Sequence, residues 1–380
     1  MIKLVCFKCK KRYEFTEPVW RCSCGGILDL DFTPEFPIEK ITTRKPTMWR
    51  YREAIPLPED FPVISFDEGF TPMLEIEIEN RKVWIKQEHL FQTGSYKDRG
   101  ASVLMSYIKG IGIKQVVEDS SGNAGCAIAA YGAAGGIECN IYVPWDTSPA
   151  KLIQIESYGA HLNKIPGTRQ DTANAVLHSA ETTYYASHSW NPFFFHGTKT
   201  IAYEIIEQLG WNSPDAIILP VGNGTLLLGA YLGFNEMFQK GIIKTIPKII
   251  GIQAENCAPL YDLFNSEISI QDSFSFDNSK IKKTIAEGIA IAEPIRGKQI
   301  LEAVKASGGF FIKVSEKEIE LSLKEILRKG YFIEPTSAAG IAGAKKYILQ
   351  ENNSKHETLV TVFTGHGLKA GVKIGEVIDN

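Results

Sequence analysis

Three glycine-rich turns along this chain each follow a short, strand-like apolar run. Gln115-Val116-Val117 leads to Ser120-Ser121-Gly122-Asn123-Ala124-Gly125 and then to an Ala/Gly-rich helical stretch. Ala216-Ile217-Ile218-Leu219 leads to Val221-Gly222-Asn223-Gly224-Thr225 and a helical pattern from Leu226 onward. Thr358-Leu359-Val360-Thr361-Val362-Phe363 leads to Thr364-Gly365-His366-Gly367-Leu368-Lys369. Cys139-Asn140-Ile141-Tyr142-Val143 and Lys248-Ile249-Ile250-Gly251-Ile252 read as two further buried strands. Short apolar strands alternating with amphipathic helices predict an α/β fold with largely parallel sheets.

A chain of 380 residues is expected to divide into two lobes. A formal net charge of -3 provides no basic field for nucleic acid or an acidic membrane surface. No apolar run is long enough to span a bilayer, and Met1-Ile2-Lys3-Leu4-Val5 runs straight into cysteines without a signal-like apolar region, so a cytoplasmic protein is expected. The Pro-rich stretch from Phe36 to Pro62 reads as a linker or wrapping arm, and Asn265 to Asn278, rich in Ser, Asp and Asn, as an exposed loop.

Four of the 7 cysteines crowd the start: Cys6-x-x-Cys9 and Cys22-x-Cys24-Gly25-Gly26. Two close pairs suit one tetrahedral zinc, and four thiolates leave no open position for chemistry, so such a metal would be structural. Tyr13 and Trp20 are expected to cover it. Cys126, Cys139 and Cys257 stand in apolar surroundings and read as small buried hydrophobes.

Ser95-Tyr96-Lys97-Asp98-Arg99-Gly100 opens a helical pattern with a lysine. Lysine is the side chain that forms a Schiff base with an aldehyde, and pyridoxal 5'-phosphate is the aldehyde cofactor held this way; the alternative is a solvated helix face. Asn123 could bond a phenolic oxygen or a substrate carboxylate, and the alternative is a plain helix cap. The 221–225 turn exposes successive N–H groups at a helix start and lacks the lysine of a P-loop, which suits a single phosphate better than a nucleotide triphosphate. Thr364, at a strand end, offers a neutral hydroxyl to a pyridine nitrogen without protonating it.

Ser-x-Lys-Asp-Arg-Gly, Ser-Gly-Asn, Gly-Asn-Gly and Thr-Gly-His-Gly-Leu-Lys, in this order, resemble the threonine synthase family, one of the fold type II (tryptophan-synthase-β-like) pyridoxal-phosphate enzymes. Asn191-Pro192, Gly197-Thr198-Lys199-Thr200 and Glu334-Pro335-Thr336-Ser337 resemble it too. The resemblance implies two open α/β lobes: a zinc-ribbon-like module at 1–39, a large cofactor-binding domain at 40–101 and 198–380, and a small mobile domain at 102–197. It makes Lys97 the Schiff-base and catalytic lysine. Asn123 would then bond the cofactor's 3′-oxygen, Gly222, Asn223, Gly224 and Thr225 would hold its phosphate, and Thr364 would face its ring nitrogen. Substrate contacts would come from Ser95, Ser121, Gly122, His188, Ser189 and Asn191, the metal ligands would be Cys6, Cys9, Cys22 and Cys24, and the assembly would be a homodimer.

The implied reaction is O-phospho-L-homoserine and water to L-threonine and phosphate. The family segment Asn-Ser-Val-Asn-Pro-x-Arg-x-Glu-Gly reads His188-Ser189-Trp190-Asn191-Pro192-Phe193-Phe194-Phe195-His196-Gly197 here, with Phe194 in place of the arginine. His188, His196 or Arg169 would have to supply the charge-assisted bonds a phosphate needs. The apolar run and Ala286-Glu287-Gly288-Ile289-Ala290 suit a threonine or serine ammonia-lyase, or a β-replacement enzyme of the cysteate-synthase type. A non-enzymatic zinc-ribbon protein is the third reading, opposed by the intact Lys97, Asn123 and Thr364.

Overall fold

The computed structural model describes residues 2–147, 149–167, 169–266, 276, 281–350 and 356–379, with 149–151 and 169 described by their backbone alone. The loop expected over Asn265 to Asn278 lies outside the described residues except for Asn265, Ser266 and Phe276. Two compact units form: Met1–Phe70 with Phe91–Thr93 and Lys97–Thr200, and Thr71–Leu90 with Gly94–Tyr96 and Ile201–Asn380.

In the first unit a parallel sheet runs in the order His161–Ile165, Glu138–Pro144, Gln115–Glu118, Tyr184–Tyr185. Helices Lys97–Gly110 and Asn123–Gly135 flank it and are buried along most of their length, which their runs of Ala, Gly, Ser and Val allow. The N-terminal segment forms its own antiparallel sheet, in the order Arg12–Glu14, Lys3–Cys6, Leu28–Asp31. Its aromatic residues nevertheless belong to the unit's core. Phe15 lies edge-on to Tyr107 and Phe193, and the Tyr107 hydroxyl donates to the Phe15 carbonyl at 3.0 Å. Trp20 was expected over the cysteines. It is buried in the same cluster as Cys6 and Cys22, lies edge-on to Tyr185 and Trp190, and donates its indole N–H to the Ala180 carbonyl at 3.3 Å. A buried indole needs an acceptor, and the carbonyl just past the end of helix Arg169–Ser179 provides one.

In the second unit a six-stranded sheet runs Phe310–Val314, Lys248–Ala254, Ala216–Pro220, Leu359–Val362, Arg81–Lys86, Met73–Ile78. All neighbours are parallel except the last pair, a hairpin closed by Glu79 and Asn80 with φ of 48° and 56°. Left-handed residues at both turn positions fit the strand twist of a two-residue hairpin. The expected strands at 115, 139, 216, 248 and 358 all form, with ends shifted by one or two residues. The stretch read as a linker, 36–62, carries a helix at Ile38–Thr43 and a 3-10 segment at Met48–Ala54 that buries Met48, Arg50 and Tyr51. No helix among the described residues is long and apolar enough to cross a membrane.

Candidate active site

The second unit carries the phosphate-type turn. Ala216–Pro220 and Leu359–Val362 are adjacent parallel strands, with Ile218 opposite Thr361, so the turns at 221–225 and 364–368 leave the sheet side by side at its carboxyl edge. Ligand groups collect at that edge of open α/β sheets. Gly224, at φ +78°, is the N-cap of the long helix Thr225–Gln239 and supplies no side-chain cap, a helix start of the kind that takes an anion. Gly222 has no room for a side chain, since a Cβ there would stand 2.9 Å from the Ile289 Cα. The Thr225 hydroxyl lies 2.8 Å from the Tyr96 hydroxyl.

Ser95 is fully buried and its Oγ has no hydrogen-bond partner. A buried hydroxyl left in that state costs on the order of 1–3 kcal/mol, so its position fits a site completed by a polar ligand. Thr364 is 1% exposed, and its Oγ1 lies 2.8 Å from Glu334 Oε1 and 2.9 Å from Ser337 Oγ.

In the first unit Lys97 is the opening residue of its helix and half-buried. The residues after it are not a solvated face. The Asp98 carboxylate accepts from the Thr93 N–H at 2.9 Å and from the Thr93 hydroxyl. Arg99 is fully buried, donates to Thr200 Oγ1 at 2.9 Å and lies over the Phe91 ring. Asp98 and Arg99 thus pin the helix start that presents the lysine.

The Ser120–Gly125 turn and the 186–191 segment leave adjacent parallel strands at the same end, since Val117 pairs with Tyr185. Asn123 opens helix Asn123–Gly135, with Gly122 at its N-cap, and a Cβ at Gly125 would overlap the Ser120 carbonyl. Ser121 and Asn123 are half-buried and Gly122 is exposed.

His188 Nδ1 lies 2.6 Å from Glu118 Oε1. Glu118 is fully buried, its Oε2 has no partner, and burial, then the neighbouring Asp119 charge, pushes its carboxyl well above the usual range, against the pull of Lys97. Reading the sequence did not single Glu118 out. The available signal was an acidic residue closing an otherwise apolar strand, Val116-Val117-Glu118.

Two expectations change. Asn191, expected at the substrate, uses its amide inside the protein: its Oδ1 accepts from Phe193 N at 3.1 Å, capping helix Pro192–Thr198, and its Nδ2 donates to the Tyr184 hydroxyl at 2.7 Å. Phe193 and Phe194 are fully buried and Phe195 is 6% exposed. Phe193 stacks on Tyr107 at 3.7 Å, and Phe194 lies against Gly100. Phe193 and Phe195 are therefore core, while Phe194, equally buried, also faces the lysine, with Lys97 Nζ 6.0 Å from its ring centre, and lies edge-on to His188. Ser189 is 7% exposed. Among the proposed phosphate donors, the Arg169 side chain lies outside the described residues.

The four cysteine sulfurs all lie within 4.8 Å of one another, with Cys6 to Cys24 at 3.6 Å and Cys9 to Cys22 at 3.5 Å. Four thiolates at ~2.3 Å from a tetrahedral zinc would stand about 3.8 Å apart. The Tyr13 hydroxyl donates to Cys22 Sγ at 3.1 Å, and a Cβ at Gly26 would stand 2.8 Å from Cys6 Sγ.

Each unit carries features that suit pyridoxal phosphate: the first a lysine at a pinned helix start, the second a helix N-terminus with no side-chain cap and, at Ser95, a buried unpartnered hydroxyl. The family described as "Pyridoxal-phosphate dependent enzyme" matches residues 64–365. Threonine synthase from Methanocaldococcus jannaschii is 36% identical, across 96% of this chain and 92% of that protein. Threonine synthase from Methanosarcina acetivorans is 33% identical, across 97% and 92%. Among solved structures, the processed form of threonine deaminase isoform 2 from Solanum lycopersicum has the same fold, with a TM-score of 0.70 at 22% identity over 92% of this chain and 97% of that one. The chain belongs to the threonine synthase family of pyridoxal-phosphate dependent enzymes, and is a lyase that uses this cofactor.

Proposed function

We propose that this lyase converts O-phospho-L-homoserine and water into L-threonine and inorganic phosphate. The observation that carries the reading is the burial of Phe193, Phe194 and Phe195. Their run was the sequence feature favouring an apolar substrate pocket, and packing takes up Phe193 and Phe195, while Phe194 packs on Gly100 beside Lys97. What remains is near full-length likeness to proteins named threonine synthase. Glu287, the other dehydratase-like feature, is salt-bridged to Lys373 at 2.5 Å.

In this reading Lys97 bonds the cofactor aldehyde and, once released by substrate, takes the α-proton and assists loss of the β-proton. The bound cofactor supplies an electron sink for the substrate carbons. The N–H groups of Gly222, Asn223, Gly224 and Thr225 hold its phosphate, Asn123 its 3′-oxygen, and Thr364 its ring nitrogen. Ser95, Ser121, Gly122, His188 and Ser189 orient the substrate. Phosphate leaves the γ-carbon and water adds at the β-carbon. We also assign a structural zinc to Cys6, Cys9, Cys22 and Cys24, and a homodimer as the assembly.

The test is purified, cofactor-loaded protein given O-phospho-L-homoserine, with phosphate and threonine followed together. Equal amounts of both support the reading. No phosphate, with keto acid formed from L-threonine or L-serine, replaces it with an ammonia-lyase.

A further inference from the structure

The hydrogen bonds around Thr364 can be assigned proton by proton. A hydroxyl carries one proton and two lone pairs, and a carboxylate only accepts. Ser337 Oγ accepts from the Thr364 N–H at 2.8 Å and from the Gly365 N–H at 3.4 Å, so its proton points to Thr364 Oγ1, 2.9 Å away. Thr364 Oγ1 lies 2.8 Å from Glu334 Oε1, so the threonine proton goes to that carboxylate. Ser337 and Thr364 are buried to 0% and 1% exposure, so water does not compete for these bonds. One lone pair of Thr364 remains.

The fold holds this arrangement in place. Glu334 is the N-cap residue of helix Pro335–Leu349, and its N–H donates to the Gly365 carbonyl at 3.0 Å. A Cβ at residue 365 would overlap the Glu334 carboxyl group, so glycine there lets the carboxylate lie over the turn that carries Thr364.

An isolated threonine hydroxyl could donate to a ring nitrogen and leave it neutral. This one has given its proton away and can only accept. We infer that the chain Glu334–Thr364–Ser337 holds the cofactor's pyridine nitrogen in its protonated form, with Glu334 as a positioning residue acting through Thr364. The inference rests on the proposed placement of Thr364 at the ring nitrogen, and it reverses the sequence-based expectation of a ring left unprotonated. A protonated ring draws electrons from the substrate carbons more strongly than a neutral one, which suits a reaction that removes both an α- and a β-proton.

The test is nitrogen-15 NMR of the holoenzyme reconstituted with cofactor labelled at the ring nitrogen, at neutral pH. The expected resonance is that of a protonated pyridine. In Glu334→Gln the amide can donate to Thr364 Oγ1, which returns the threonine proton to the ring side, and the resonance is expected at the neutral-pyridine position. Thr364→Val, which removes the acceptor, is expected to give the neutral position as well. A neutral ring in the wild type, or a protonated ring that persists in both variants, overturns the inference. Threonine formation is measured on the same wild-type sample. A neutral ring in protein that makes threonine defeats the inference alone, and a protonated ring in protein that makes none defeats the proposed function alone.

Discussion

The Phe194 ring lies so close to Gly100 that a Cβ on residue 100 would overlap it. Helix Pro192–Thr198 crosses helix Lys97–Gly110 at this point, and a Cβ at Gly197 would likewise overlap the Arg99 carbonyl. Gly100→Ala is expected to destabilise the protein by about 1–3 kcal/mol through overpacking. Replacing Phe194 with Leu in the same chain should recover part of that loss. Urea unfolding of the two single variants and the double reads the coupling. Strictly additive effects would mean that the two residues do not share the contact.

Lys97 opens its helix between two anchored neighbours, and its Nζ lies 6.0 Å from the centre of the Phe194 ring. Lys97→Ala should abolish both turnover and the visible absorbance of cofactor bonded to lysine. Lys97→Arg keeps the charge but cannot form that bond, so it should be equally colourless. A variant of either kind that still turned over would remove the lysine from its assigned role.

The cysteine site predicts about one zinc per chain, from the four ligands of one tetrahedral ion. Replacing Cys6 and Cys9 with Ser should remove it and lower stability on the order of 4 kcal/mol, the range in which loss of a metal falls. Cofactor content and turnover of the folded fraction should persist. If metal analysis finds no zinc in the parent protein, or if chemistry collapses while folding and cofactor content hold, the structural role is wrong.

What could be read from the sequence was local. A strand, a glycine turn and a helix start are neighbours in the chain, so the turns at 120, 221 and 364 were visible. So was the cysteine set, whose spacing is its own signal. What could not be read depended on partners brought together by folding. Glu118 meets His188 across 70 residues, and Thr364 meets Glu334 across 30. Phe193 to Phe195 looked like a pocket because nothing local tells an apolar side chain facing a ligand from one facing Tyr107 or Gly100. Asn191 looked like a substrate residue because a helix cap and a ligand contact use the same amide.

His89 gives one pH dependence. It is 5% exposed, its Nδ1 has no hydrogen-bond partner, and burial, then the nearby His366, lowers its pKa to about 4 from 6.5. Above 6.5 the ring is neutral whether folded or unfolded. Between 6.5 and 4 the unfolded chain takes the proton and the folded one does not, so stability falls as pH falls through this window. The full shift corresponds to at most about 3 kcal/mol, and about 2 once solvent screening is allowed for. His89→Phe should flatten this part of the curve. Unfolding at pH 7 and pH 4.5 measures it, and an unchanged slope in the variant would assign the loss to other groups.

Glu118 bends the curve the other way. Its folded pKa is raised above the ordinary 4.5, first by burial and then by Asp119. Below 4.5 the carboxyl is protonated in both states, and that contribution to stability is fully present. As pH rises toward the folded pKa, the unfolded chain releases the proton while the folded one keeps it. Stability is lost across that window at no more than about 1.4 kcal/mol per pH unit. Glu118→Gln cannot titrate, and its amide still offers an oxygen to His188 Nδ1. The variant should therefore gain on the wild type steadily as unfolding is followed from pH 5 to pH 8. A difference between the two proteins that stays constant across that range would mean Glu118 enters the fold already ionised, paired with a protonated His188.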